Sequence, residues 1–270
     1  MSLAARNRRF PPVILAAIAA AWMVAIFAQS TGGTGLSHGH DHSPEHGLPL
    51  WLVVLLPPFW IAVIVFLLAW QVMIAAMMLP SSLPMIRLFT AASAHQPHAT
   101  RVRLAFLAGY ATVWSGFGTV AFLADVVLQH VLDGVPWLDA RPWVVAGSVL
   151  VTAGAFQFSS LKDRCIEQCR HPGPFLMRRY RRGARGGYLL GREHGLFCLG
   201  CCWALMLLMF VAGLASLVWM AALAAVMYYE KAGRHGPRLV PVVGIVLVAW
   251  GGLVLLHPTW LPHVLAGALS

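Results

Sequence analysis

Charge is what this sequence has least of. Only 10% of its 270 residues are Asp, Glu, Lys or Arg, and just nine are acidic. Soluble domains carry about 25% charged residues, so this chain lacks the polar surface needed to coat a globule in water. That excludes a soluble enzyme and a charged, disordered regulator. Cysteine is also sparse. Five residues, an odd number, cannot staple a secreted scaffold. The chain shows no Walker motif, no dinucleotide fingerprint, no Ser-His-Asp pattern and no convincing internal repeat.

What is present is apolar. Hydrophobic residues make up 59% of the chain and the mean hydropathy is +0.74, which reads as an all-α polytopic membrane bundle forming a single domain over residues 1–270. A membrane span needs about 20 mostly apolar residues. Such runs lie at Pro11–Ala28, Phe59–Leu79, Leu104–Val131, Trp143–Leu161 and Val240–Leu256. The 36 residues from Gly195 to Glu230 are too many for one span and divide at Ala212–Ser216, giving seven. Arg6, Arg8 and Arg9 before the first run resemble a signal peptide. No small-residue cleavage site follows, so the run reads as an uncleaved helix.

The positive residues test this count. With the N-terminus inside and the C-terminus outside, the inner segments hold Arg6, Arg8, Arg9, Arg87, Arg101 and Arg103. They also hold every Lys and Arg from Lys162 to Arg192, then Lys231, Arg234 and Arg238. Of 19 Lys and Arg, only Arg141 falls outside, the bias expected of an inner (cytoplasmic) membrane protein. The net charge of +10 therefore points to anionic lipid, not to nucleic acid. Residues 162–193 form a basic cytoplasmic insert and residues 29–47 a His-rich external loop.

All five cysteines lie between Cys165 and Cys202. If the fourth span continues past the membrane face, Cys165 and Cys169 sit one helical turn apart. In the fifth, His194, Cys198 and Cys202 share a face with Cys201 beside them, and Met206 and Met209 continue it. The two clusters should meet across one cytoplasmic-side cavity, with Glu167 or the backbone orienting His194. Thiols in the cytoplasm stay reduced. Thiolate and thioether suit Cu(I), and thiolate with imidazole also suits Zn(II), so the implied cofactor is a transition metal, copper first and zinc second. Cysteine also packs well as a small apolar residue, which is the competing explanation.

The stretch from Gly154-Ala155-Phe156-Gln157 through Cys165-x-x-x-Cys169, with Arg192-Glu193-His194-Gly195-Leu196-Phe197-Cys198-Leu199-Gly200-Cys201-Cys202, resembles a bacterial family of unknown function. Its members are described as predicted metal-binding integral membrane proteins. The resemblance covers about Gln71 to Gly252, and it implies metal binding at these Cys and His residues.

Three other features carry chemistry. His38, His40, His42 and His46, with Asp41 and Glu45, form a flexible imidazole-rich tract able to collect metal. Met73, Met77 and Met78 precede a break at Pro80–Pro84; they read first as ordinary helix filler, with a thioether ladder passing Cu(I) as the alternative. Glu230 and Lys231 end the sixth span and are expected to pair with each other. These features favour a membrane protein that binds a soft metal for transport or delivery, with a membrane or periplasmic protein as a possible recipient. The alternatives are a membrane oxidoreductase using its thiols and an assembly subunit with packed cysteines. Single cysteines at Ser43 and Ala184, in a background lacking the native five, should label from opposite sides of the membrane. Labelling of both from one side would defeat the seven-span topology.

Overall fold

The computed structural model describes residues 10–30, 57–135, 137, 141–212 and 216–257. Among these, every regular element is a helix: α1 (Phe10–Ser30), α2 (Pro57–Met77), α3 (Leu79–Ala92), α4 (Ala99–Gly134), α5 (Pro142–Phe156), α6 (Ser160–Arg170), α7 (Pro172–Arg179), α8 (Gly183–Ala212), α9 (Leu217–Ala232) and α10 (Gly236–Leu256). The His38–His46 tract lies outside the described residues.

Four of these helices, within α2, α4, α8 and α10, are long and apolar enough to cross a membrane. The α5–α6 pair makes a fifth if it is counted as one bent span. This is fewer than the seven expected. The apolar stretch Pro12–Phe27 of α1 is short. Helix α9, with 16 residues, rises about 24 Å, less than the roughly 30 Å of a hydrocarbon core.

The expected fourth span does not run straight on to its cysteines. The chain bends by 64° between α5 and α6. Ser159 adopts an extended conformation and its hydroxyl accepts from the Lys162 amide at 3.1 Å, so it starts a new helix as an N-cap. The basic insert is likewise not a loop. It is α6, α7 and the first turns of α8. The Pro80–Pro84 segment is also helical. Pro80 occupies the first turn of α3, where its missing N–H is harmless. The Ser81 hydroxyl (2.9 Å) and the Ser82 amide (3.2 Å) both donate to the Met78 carbonyl at the α2–α3 junction.

Helix α8 packs most extensively on α4, α10 on α5, and α6 lies across α8. The α4–α8 seam is built on glycine. Gly187, Gly191 and Gly195 recur every fourth residue of α8 and so share one face. They lie against the Val102 carbonyl, the Phe106 carbonyl and the Val113 side chain of α4, while Gly109 of α4 meets the Tyr188 carbonyl. Small residues at this spacing let two backbones approach closely, the commonest way to join helices where lipid supplies no hydrophobic drive. Helix α2 joins the other side of α4 through polar bonds. Trp70 Nε1 donates to the Trp114 carbonyl at 2.9 Å, and Gln71 Nε2 to Ser115 Oγ at 2.6 Å. Outward faces remain apolar and exposed, including Ile61, Ile64 and Leu68 of α2 and Val242, Ile245 and Val246 of α10.

A methyl at Gly191 would strike the Phe106 backbone carbonyl, which no rotamer change can move. Gly191→Ala should therefore cost about 1–3 kcal/mol and lower the melting temperature in detergent. Gly116→Ala on the same seam helix meets nothing within 4 Å and should not. Equal melting of both variants would show that the seam is loose.

Candidate metal centre

The i, i+4 pair Cys198 and Cys202 lies on the inward face of α8, each 1% exposed. Around it converge groups from four other segments. The Lys231 ammonium of α9 is 3.2 Å from Cys198 Sγ and 3.7 Å from Cys202 Sγ. Met78 Sδ is 3.8 Å from both Cys202 Sγ and the ammonium. Ser81 Oγ of α3 is 3.4 Å from the ammonium, and the Tyr110 hydroxyl of α4 is 3.2 Å from Cys198 Sγ. Tyr110 in turn lies 3.4 Å from Ser82 Oγ. The Cys201 and Cys202 thiols both donate to the Cys198 carbonyl, at 3.1 and 2.8 Å.

Glu230 and Lys231 do not pair with each other as expected. Neighbouring residues of a helix point about 100° apart, and each finds its own partner. Glu230 accepts from Lys162 of α6 at 2.7 Å, an ion pair with both side chains buried. Arg170 of α6 donates to the Glu230 carbonyl at 2.6 Å and the Gly233 carbonyl at 3.0 Å, filling acceptors that the end of α9 leaves open. Two cations of α6 thus fix the last turn of α9, and with it the position of Lys231 beside the thiols.

Helix α6 brings its thiols to those of α8. Cys165 Sγ fills the notch left by the missing side chain of Gly200, Cys169 is hydrogen-bonded with Cys201, and Cys201 in turn with Cys202, so the thiols of the two helices form one connected group. His194 is buried among aromatic rings, within electrostatic reach of Lys231 and Cys201. Its ring lies 6.1 Å from Phe106, 5.8 Å from Tyr110 and 6.0 Å from Phe175, and its Nε2 has no hydrogen-bond partner among the described residues. Glu167 does not orient it. That carboxylate pairs with His171 at 3.1 Å, and both are exposed.

Among the described residues, no three or more His, Cys, Asp or Glu side chains stand grouped to hold an ion. What converges directly on the Lys231 ammonium is two thiols and a thioether, with Cys201 and Cys169 continuing the thiol group behind them. That donor set fits Cu(I), which accepts few, soft ligands, and it offers Zn(II) neither imidazole nor carboxylate. The sequence did not single out Tyr110 or Ser81, and it assigned Lys231 the wrong partner. A lysine closing 36 apolar residues was the one visible signal.

The arrangement defines an all-helical protein with apolar spans and a buried, sulfur-lined pocket suited to a soft cation. Residues 67–254 match the family model PpoB2, described as copper chaperone, and the chain belongs to that family. The matched stretch contains every pocket residue and leaves out His38–His46. No curated protein and no solved structure matches the chain.

Burial predicts thiol reactivity. In folded protein, a bulky maleimide should modify the half-buried Cys169 first and leave Cys198, Cys201 and Cys202 intact until detergent denaturation. Mass spectrometry after timed labelling reads this out. Reaction of the α8 thiols at their denatured rate would show that the pocket is open.

Proposed function

We propose that this chain is an inner-membrane copper chaperone that holds Cu(I) on Cys198, Cys202 and Met78 and delivers it onward. The carrying observation is the convergence of these three sulfurs in a buried pocket of a protein belonging to a copper chaperone family. The ion is cargo, so its ligands must release it as well as bind it. Two thiols with a weak thioether meet that need better than a closed four-ligand shell.

A route to the pocket is supported by the methionines. Met73, Met77, Met78, Met206, Met209, Met220 and Met227 are all buried in one cluster with the cysteines. Met is an adaptable core filler, but seven thioethers from α2, α8, α9 and the α2–α3 junction also form a chain of weak, neutral Cu(I) ligands. In this reading the tract His38, His40, His42 and His46 collects metal outside, and the methionines pass it inward. Cys198 and Cys202 hold it, while Cys201, Cys169 and Cys165 continue the thiol group toward α6. Zn(II) is the weaker candidate cargo.

The seven-span, N-in arrangement belongs to this reading, with α1 and α9 crossing as short helices and residues 162–193 inside. It is supported by the pocket itself. The end of α2, the middle of α8 where its apolar stretch begins, and the end of α9 all contribute to it, and α6 follows the end of α5. Seven alternating crossings put these points on one side, together with 18 of 19 positive residues.

The Cys198→Ser/Cys202→Ser double variant should lose Cu(I) affinity by at least about tenfold, since it removes both charged soft ligands. Met78→Leu should weaken it less. Anaerobic competition of the purified protein against a chromophoric Cu(I) chelator measures both, and elemental analysis shows which metal co-purifies. A double variant that binds copper like the wild type would overturn the site.

A further inference from the structure

Lys231 is a buried cation with unusual company. Its side chain is 5% exposed, yet no carboxylate pairs with it among the described residues. The adjacent Glu230 is committed to Lys162. The ammonium instead sits among Cys198 Sγ, Cys202 Sγ, Met78 Sδ and Ser81 Oγ, at 3.2, 3.7, 3.8 and 3.4 Å. A buried charge needs compensation, and a thioether and a hydroxyl supply only dipoles. The groups around it able to become anionic are the thiols, Cys198 and Cys202 at contact distance and Cys201 and Cys169 further off, and the Tyr110 phenol. A lysine serving packing alone would be replaced at lower cost by an apolar residue.

We propose that the Lys231 ammonium is a resident stand-in for copper: it occupies the point on which the three sulfurs converge, and Cu(I) and the ammonium take that point alternately. This rests on the reading of the pocket as the copper site. Both cations carry one positive charge. Metal–sulfur bonds are about 2.3 Å long, so an ion bound to these sulfurs must use the volume that the ammonium now fills, with the sulfurs closing in by about 1–1.5 Å. Loading is a ligand exchange without electron transfer. Two Cu–S bonds to the cysteines form, the thiol protons leave to water or to the donor's ligands, and the ammonium's contacts to sulfur break.

The surroundings decide which partner moves. Cys198 is held from the other side by Tyr110, and the Cys202 thiol is tied to the Cys198 carbonyl. Lys231 has a flexible four-carbon stem on the last turn of α9, just before its end at Ala232. An internal competitor lowers apparent affinity by the fraction of time it leaves the site free. For a delivery protein this provides release: as copper departs, the returning ammonium fills the pocket and keeps the thiols from recapturing the ion.

The test uses the full-length protein in detergent. Wild type, Lys231→Leu and Lys231→Gln are titrated with Cu(I) against a chromophoric chelator under anaerobic reducing conditions, and release to excess chelator is timed. If the ammonium fills the pocket about nine-tenths of the time, either variant should bind Cu(I) about tenfold more tightly and release it more slowly. Lys231→Arg, which keeps a cation, should not. Lys231→Leu creates an apolar contact with the sulfurs, so Lys231→Gln, of similar length and neutral, decides the matter if the leucine variant does not fold. Unchanged or weaker binding in a folded neutral variant overturns the proposal and makes Lys231 a ligand-supporting charge instead. Wild type that binds no Cu(I) at Cys198 and Cys202 would instead defeat the reading of the site itself.

Discussion

The backbone contact between α4 and α8 holds the rest in place. Gly187, Gly191 and Gly195 present no side chain to α4, so the helix that carries Cys198, Cys201 and Cys202 lies directly on the helix that carries Tyr110. Separation by even one side-chain layer would take the Tyr110 hydroxyl out of the 3.2 Å reach of Cys198 Sγ. In lipid the hydrophobic effect does not press helices together, and close packing with inter-helix polar bonds takes over that role. The other side of α4 uses such bonds, through Trp70 and Gln71 of α2. Because α2 ends at Met77, this second contact brings the Met78 thioether to the thiols.

Charge fixes the remaining wall. A buried ion pair contributes little net stability but is costly to break, so it serves best as a positional device. Lys162 and Glu230 act in that way between α6 and α9, and Arg170 reinforces them at the carbonyl end of α9. The same helix α6 brings Cys165 against Gly200 and Cys169 against Cys201 of α8. One short helix thus adds two thiols to those of α8 and, through α9, sets the cation beside them. Its cap residue, Ser159, matters for this reason: without the 64° turn at the α5–α6 junction, α6 would run on along the axis of α5 and not lie across α8.

The resulting pocket is soft and nearly free of hard donors. The groups are buried, the oxygens near the sulfurs are the Tyr110 and Ser81 hydroxyls and the Cys198 carbonyl, and the His194 imidazole is held among aromatic rings. Such surroundings disfavour divalent ions that require four or more ligands, and they suit a monovalent ion that needs two or three sulfurs. This chemistry agrees with the copper chaperone family to which the chain belongs.

Much of this was legible in the chain alone. Composition alone determines that the elements are helices, because long apolar runs with few charges can bury their backbone polar groups in no other simple way. The i, i+4 spacing determines that Cys198 and Cys202 share a face, and the clustering of five cysteines with a neighbouring His marks where the chemistry lies. Spacing cannot say which groups from distant segments meet, because that depends on how closely helices approach and where they bend. The α5–α6 bend, the contact of Cys169 with Cys201 and the packing of His194 among aromatic rings were decided only in three dimensions. So was the choice of partners by Glu230 and Lys231. Adjacent in sequence and opposite in charge, they invite pairing, but the turn of the helix points them apart, and tertiary packing gives one to a lysine and the other to sulfur.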